Sequence, residues 1–169
     1  MYTLTDEEKM TTVMVYSRNK LIHGNLVTKK NVRVNIWLRM QDLPNYLHLL
    51  KTEVLIFGGA APQSLAYEEY FFPVERVIGF HLAPPASEPL DYDTSELNRS
   101  MVDVNIILGM FALKGKVRAS TDFGSTLEIS HSNWLSVYDA QISNPLTPQM
   151  PTILTPMLLV NPKQVGFGF

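Results

Sequence analysis

Apolar residues along this chain recur with the spacing of β-strands. Residues 13–16 and 21–28 form two apolar segments separated by the turn sequence Ser17-Arg-Asn-Lys20. Further apolar runs, rich in β-branched and aromatic residues and bounded by Gly and Pro, occupy residues 47–57, 70–74 and 77–82. Such runs are typical of strands, and no segment of about 12 residues keeps a helical period. The pattern therefore predicts an all-β protein.

Two short helix starts and two long loops complete the predicted elements. Thr5-Asp-Glu-Glu8 has the capping-box pattern of a helix N-terminus, and a second start is predicted at Ser95-Glu-Leu-Asn-Arg99. Residues 58–69 and 144–156 contain Pro and are predicted to be loops that are long for hairpins. Such loops often carry interaction sites, although the second is equally compatible with a stiff crossing over the core.

An internal repeat is the most informative feature of the sequence. Residues 13–26 align without a gap on residues 104–117, at a shift of 91 that brings Gly24 onto Gly115. Two further blocks follow in the same order at shifts of 88 and 87, namely residues 46–54 on 134–142 and residues 71–82 on 158–169. Trp37-Leu38 is an alternative partner for Trp134-Leu135. Three ordered blocks predict a duplication; the alternative is two unrelated runs of strand alternation.

The duplication divides the chain into two units and a connection. The predicted organisation is a first small β-barrel at residues 1–82, a Pro-rich acidic linker with a short helix start at 83–101, and a second small β-barrel at 102–169. A lone unit of about 65–70 residues buries only about 60% of its unfolded surface. Pairing the two units through a shared sheet or interface would therefore stabilise both.

Three aromatic residues and two glycines gain a role from the repeat. Gly24 and Gly115 occupy equivalent positions inside strands and are predicted to mark a bend or close packing. Trp134, together with Trp37 or Tyr46, is predicted to pack in the core or between the units. The alternative role of these aromatic rings is stacking on a base or ligand.

Composition and charge exclude several classes of protein. The chain has 169 residues, 46% of them hydrophobic, a formal net charge of −2 and no cysteine. Disulfides, thiolate catalysis and cysteine-ligated metals are thereby excluded. No apolar stretch is long enough to span a bilayer, and the acidic N-terminal residues do not match a signal peptide. No membrane association and a cytoplasmic location are the expectations.

The titratable residues do not predict catalysis, and no cofactor is expected. His23, His48, His81 and His131 lack the spacing of a metal-ligand pair, and they are expected to be exposed or at strand edges. The paired carboxylates Glu7-Glu8 and Glu68-Glu69 are expected to be solvated. Ser130-His131-Ser132 places a nucleophile beside a base, but catalytic triads are assembled in space rather than by adjacency. No catalytic or metal-binding residue is predicted.

A short basic segment keeps nucleic-acid binding open as an alternative. Lys29, Lys30, Arg33 and Arg39 lie close together in sequence, although neither half has the basic excess that phosphate-backbone binding requires. A solvated loop face is the favoured interpretation. If the protein binds RNA or a nucleotide, Lys29, Lys30 and Arg33 are the candidate contacts.

The two halves end on similar segments that carry a family resemblance. These segments are Val74-Glu-Arg-Val-Ile-Gly-Phe80 and Asn161-Pro-Lys-Gln-Val-Gly-Phe167, and each follows a strand, a Gly-bent strand and two further strands. The order resembles that of Sm-like small β-barrels, which close with a short last strand. Arg33 … Trp37-Leu38 … Tyr46-Leu47 is also similar to a pattern in small uncharacterised bacterial domains.

The sequence departs from the Sm-like RNA-binding pattern. RNA binders of that family share an Asp and an Asn after the bent strand and an Arg-Gly before the last strand. The corresponding segments here are Thr28-Lys-Lys-Asn-Val-Arg-Val34 and Pro73-Val-Glu-Arg76, and in the second half Ser120-Thr-Asp-Phe-Gly124 and Val160-Asn-Pro-Lys163. The resemblance therefore implies edge-to-edge assembly rather than RNA contacts. The predicted function is a non-enzymatic structural or interaction module that binds a protein partner or itself.

Overall fold

The computed structural model describes residues 2–118 and 133–168. Ten strands lie in this part of the chain. They are β1 (Glu8–Tyr16), β2 (Lys20–Lys29), β3 (Tyr46–Ile56), β4 (Gln63–Pro73), β5 (Gly79–Leu82), β6 (Met101–Leu108), β7 (Phe111–Arg118), β8 (Leu135–Ser143), β9 (Ile153–Val160) and β10 (Gly166–Gly168). Short 3₁₀ turns occupy Val34–Arg39, Val74–Arg76 and Pro162–Gln164. The predicted all-β fold is confirmed.

All ten strands belong to one antiparallel sheet. Its order is β10-β6-β7-β8-β9-β5-β1-β2-β3-β4, so each half contributes five neighbouring strands in the same relative order. The halves join where β5 of the first pairs with β9 of the second. Because β10 and β4 end the order, the sheet is open and continuous. Two tandem closed barrels are not seen; hydrogen bonding along β5 and β9 merges the halves.

The strand pairing agrees with most of the sequence repeat. Val13 pairs with Gly24 in β1 and β2, and Val104 pairs with Gly115 in β6 and β7. In the β3–β4 and β8–β9 ladders, however, strand pairing makes Tyr70 the residue equivalent to Leu158. These two residues are 88 positions apart, whereas the sequence alignment of that block has a shift of 87. In the last strand of each half the shift is 87 again, because the second half has one residue fewer before that strand.

The glycines Gly24 and Gly115 sit at equivalent β-bulges. At each, the register to the next strand shifts by one residue, and the extra residue adopts a left-handed conformation, with φ of 48° at Lys51 and 49° at Asp139. A Cβ on Gly115 would lie 2.5 Å from a methyl of Val137, so this position requires glycine for close packing. The predicted strand bends are confirmed.

Two hydrophobic clusters form the core, and each draws residues from both halves. The first cluster is built mainly from β1–β5 but includes Trp134 and Leu159. The second is built mainly from β6–β9 but includes Tyr16, Phe57 and Ile78. Burial of a large apolar side chain contributes about 1.5–3 kcal/mol. The exchanged residues therefore stabilise the contact between the halves.

Several local predictions are wrong. At Thr5–Glu8 the capping-box contacts form, with the Thr5 N–H donating to a Glu8 carboxylate oxygen at 2.9 Å, but the chain enters β1 at once instead of forming a helix. Residues 95–99 form turns rather than a helix. Most of the predicted loop at residues 58–69 belongs to β4, and β9 begins within the second predicted loop.

The Pro-rich linker is anchored to the first half. The Glu88 carboxylate accepts hydrogen bonds from the backbone N–H groups of Val34 and Asn35, at 3.1 and 2.9 Å. The carbonyl of Pro89 accepts from the Asn35 amide. Since Asn35 lies in the 3₁₀ turn before β3, the linker is fixed along its length rather than acting as a free spacer.

Candidate functional site

The junction between β5 and β9 is the most distinctive contact of the molecule. Gly79 pairs with Val160 and Phe80 with Leu159, and the Asn161 N–H donates to the Ile78 carbonyl at 2.9 Å just beyond the ladder. Phe80 and Leu159 are fully buried in the same hydrophobic cluster. The junction thus combines a short backbone ladder with an apolar cross-strand pair.

Close packing at the junction depends on Gly79. A Cβ at this position would lie 3.0 Å from both terminal methyl groups of Leu108 and 3.4 Å from the Tyr16 ring. Leu108 belongs to the second half and Tyr16 to the first. A side chain at residue 79 would therefore require the Leu108 methyl groups to shift by a few tenths of an ångström.

The two free edges of the sheet are equivalent to the two strands that meet at this junction. Gly79 pairs with Tyr16 in the first half, and Gly166 pairs with Ile107 in the second, so β10 corresponds to β5. By the same comparison β4 corresponds to β9, since both pair with the strand that carries the left-handed bulge residue. Each half therefore presents one edge of each kind, and among the described strands one edge of each kind has no partner.

The free edge of β4 is long and partly apolar. β4 spans 11 residues, and Leu65, Tyr67 and Phe71 are exposed along it, with Phe71 at 54%. An exposed, long, hydrophobic edge strand is a template for pairing with another chain. Sequence analysis missed most of this strand because its residues are exposed on both faces and do not alternate.

Phe71 is held in place by an aromatic cluster. Its ring stacks on the His48 ring at a centroid distance of 4.6 Å, and the Tyr2 ring lies nearly perpendicular to the His48 ring, with a centroid distance of 4.5 Å. His48 Nε2 lies 2.8 Å from a Glu69 carboxylate oxygen. These contacts fix the Phe71 side chain before any partner binds.

The residues predicted for nucleic-acid binding differ in their surroundings. Lys29 and Lys30 are exposed at the end of β2. Arg33 is also exposed and donates to the carbonyl of Pro89 at 2.7 Å, so its guanidinium helps to anchor the linker. Arg39 pairs with Asp91. Binding of RNA or a nucleotide by Lys29, Lys30 and Arg33 stays a prediction.

A polar network around Asp91 connects the linker to both halves. The Asp91 carboxylate accepts hydrogen bonds from Ser136 and Tyr138 of β8, each at 2.7 Å, and pairs with Arg39. Partial burial raises the pKa of Asp91, but the three hydrogen bonds together outweigh burial and lower this pKa below its ordinary value. Burial and the neighbouring carboxylate raise the pKa of Tyr138. The network is suited to holding the linker.

One histidine departs from the expected exposure. His81 is buried in β5, where its Nδ1 lies 2.7 Å from the Leu82 carbonyl and its Nε2 lies 3.0 Å from the Tyr16 hydroxyl. The prediction of an exposed or edge position is wrong for His81, because β5 is enclosed between β1 and β9. His131, with the rest of Ser130-His131-Ser132 and the segment 120–124, lies outside the described residues.

Of the aromatic residues that the repeat singles out, the two tryptophans are buried and the tyrosine is not. Trp37 and Trp134 are buried in the first hydrophobic cluster, as predicted, whereas Tyr46 is exposed at the start of β3.

Within residues 2–118 and 133–168, no group of three or more His, Cys, Asp or Glu side chains is placed to hold a metal ion. No helix in this part of the chain is long and apolar enough to cross a membrane.

Comparisons of the chain with protein-family models, with curated proteins and with solved structures found no match. The geometry of the edges and of the internal junction is therefore the basis for a functional proposal.

Proposed function

We propose that this protein is a structural module that assembles with copies of itself through its sheet edges. In this assembly, β4 of one copy pairs with β10 of the next. The single observation that carries the proposal is the β5–β9 junction, where equivalent strands already pair within one chain. An intermolecular β10–β4 contact would repeat that junction and leave every sheet edge paired.

The internal junction fixes the expected register of the intermolecular contact. Phe72 is equivalent to Val160, and Phe71 to Leu159, by their partners on β3 and β8. Gly166 of one copy should therefore lie opposite Phe72 of the next, and Phe167 opposite Phe71. The second pair would bury the exposed Phe71 ring in the way that Phe80 and Leu159 bury each other.

The contact is heterologous, because β4 and β10 are different surfaces. Heterologous contacts generate closed rings when the rotation between copies closes, and open filaments when it does not. Within the chain, the equivalent β5–β9 contact joins the two halves in one continuous sheet. The form that we propose is a closed ring with a defined number of copies. The alternative partner for a free edge is the sheet edge of a different protein.

We further propose that the halves derive from duplication of one small Sm-like unit. Three features support this relationship: the identical order of strand pairing, the bulges opposite Gly24 and Gly115, and the left-handed residues Lys51 and Asp139 at the same place in the ladder. Unrelated runs of strand alternation would not reproduce the position of a bulge.

The assembly is tested by light scattering after size exclusion, with protein purified with and without nuclease and high salt. The wild-type chain is expected as a defined multiple of its 19.1 kDa mass, unchanged by either treatment. Phe71→Lys should shift it towards the monomer, because the lysine would place a charge in the proposed contact. Met40→Lys is the matched control, since Met40 is 47% exposed and follows the Val34–Arg39 turn rather than belonging to β4 or β10.

Three results would overturn the proposal. The first is a 19.1 kDa monomer at all accessible concentrations, and the second is equal behaviour of the Phe71 and Met40 variants. The third is co-purifying nucleic acid whose removal dissociates the oligomer, which would favour the nucleic-acid alternative. Circular dichroism of both variants confirms that they remain folded.

A further inference from the structure

Two adjoining clefts lie where the turns of the two halves meet. One has a volume of about 520 Å³ and the other about 380 Å³, and Arg18 and Gln164 line both. The β1–β2 turn contributes Arg18 and Lys20, the β4–β5 turn contributes Arg76, and the β9–β10 turn contributes Lys163. Four cations from three separate segments thus line a pair of clefts, here called the depression, that share Arg18 and Gln164.

The electrostatic balance of this region is opposite to that of the whole chain. Among the described residues that line the two clefts, there is one carboxylate, Glu75, against four cations, whereas the chain as a whole has a net charge of −2. A cleft lined by one sign of charge concentrates ligands of the opposite sign. The depression is therefore selective for anions.

Within residues 2–118 and 133–168, none of the four cations forms an ion pair. The described residues contain five ion pairs, and none of them includes Arg18, Lys20, Arg76 or Lys163. Lys20 and Lys163 contact only asparagine oxygens, at 3.2 and 3.5 Å. In the same part of the chain, neither arginine makes a side-chain hydrogen bond or ring contact. Two guanidinium groups are available to a ligand.

The backbone that carries these cations is tied together. The β1–β2 turn is closed by a hydrogen bond from Ser17 N–H to the Lys20 carbonyl at 3.0 Å, and the Gln164 amide donates to the Glu75 carbonyl at 3.2 Å. Gly109 of the second half, with φ of 61°, packs so closely that a Cβ would lie 2.7 Å from the Arg18 carbonyl oxygen. The turns of both halves therefore form one preorganised site.

We propose that this site binds a ligand with a chain of two or three phosphate groups, such as a nucleoside triphosphate or inorganic tripolyphosphate. Guanidinium groups match phosphate oxygens in bidentate geometry, and two adjoining clefts provide room for successive phosphates. Ile78, Ile107 and Val165 line the larger cleft and offer an apolar wall to an organic group. The site is complete within one chain and does not require the assembly proposed above.

The test is titration calorimetry of the full chain with tripolyphosphate, ATP and AMP at low salt. Tripolyphosphate is expected to bind, and AMP is expected to bind more weakly. The double variant Arg18→Ala/Arg76→Ala should weaken the affinity for tripolyphosphate roughly 100-fold, because two charge-assisted contacts are lost. Lys29→Ala/Lys30→Ala is the matched control, since it removes the same charge from an exposed segment elsewhere and should change affinity by less than about threefold. Tighter binding of ATP than of tripolyphosphate would identify a nucleotide; equal binding would identify the phosphate chain alone.

Three outcomes would overturn the proposal: no binding of any phosphate ligand, equal weakening by the two double variants, or a single-stranded oligonucleotide that outcompetes tripolyphosphate. The second outcome would show diffuse charge attraction instead of a site, and the third would show a nucleic-acid surface. Arg18→Lys/Arg76→Lys keeps the charge but loses the planar donor pair. It should recover only part of the affinity, and full recovery would contradict bidentate recognition.

Discussion

Acidification from pH 7 to pH 4 should destabilise the fold through one buried side chain, His81. The ring is 1% exposed. Its Nδ1 lies 2.7 Å from the Leu82 carbonyl, which only accepts hydrogen bonds, so Nδ1 carries the proton of the neutral ring. Nε2 then accepts from the Tyr16 hydroxyl at 3.0 Å. A second proton on His81 would force the Tyr16 hydroxyl to reverse and would bury a charge.

The size of the effect follows from the pKa of His81 in the two states. Burial lowers this pKa to about 4 in the folded protein, despite the Leu82 carbonyl, which acts in the opposite direction. In the unfolded chain the pKa is about 6.5. The unfolded state therefore binds more protons, and stability that is present above pH 6.5 is lost as the pH falls towards 4. The loss amounts to about 3 kcal/mol.

The assay is urea unfolding between pH 7 and pH 4, followed by circular dichroism. The variant Tyr16→Phe/His81→Leu removes both partners and replaces them by apolar groups, so the part of the pH dependence that belongs to His81 should vanish. Tyr16→Phe alone is the control, because it keeps the buried ring and should keep the pH dependence. An unchanged loss of stability between pH 6.5 and pH 4.5 in the double variant would refute the reasoning.

Three further substitutions test packing, strain and assembly. Gly115→Ala should cost about 1–3 kcal/mol in urea unfolding because its Cβ would meet a Val137 methyl at 2.5 Å, while Gly59→Ala, with no neighbour closer than 3.7 Å, should be near neutral. Lys51→Gly should stabilise the fold by about 0.5–1 kcal/mol, measured in the same way, because φ at Lys51 is 48°. Pro73→Asn should tighten self-association in light scattering, since the equivalent Asn161 donates across the internal junction and proline has no N–H. Failure of any of these would contradict the geometry on which it depends.

Local features of the sequence predicted the strands of the core well. Apolar alternation located β1, β2 and β3, because one face of each is buried. Glycine inside an apolar run located both bulges, since only glycine fits against the adjacent strand at Gly115. The alignment of residues 13–26 on 104–117 agrees with the equivalent pairing of Val13 with Gly24 and of Val104 with Gly115, because each block forms one hairpin.

Features that depend on distant parts of the chain were not predictable in this way. β5 is four residues long, and nothing in its sequence indicates that it pairs with β9 some 80 residues later. The burial of His81 follows from that pairing. The basic cleft combines residues from three turns that are far apart in the sequence, so no single segment indicates it. The anchoring of residues 88 and 89 likewise depends on the fold, because their partners Val34 and Asn35 lie more than 50 residues earlier in the chain.

The dimensions of the two free edges determine what kind of contact they can make. β10 has three residues, so a β10–β4 ladder can contain few backbone hydrogen bonds, and each contributes only about 0.5–1.5 kcal/mol net. Pro73 removes one more donor that the internal junction uses through Asn161. Most of the affinity must then come from burying Phe71 against Phe167, which is an apolar contribution and is insensitive to salt. An assembly that dissociates in high salt would therefore have to be held together by some other surface.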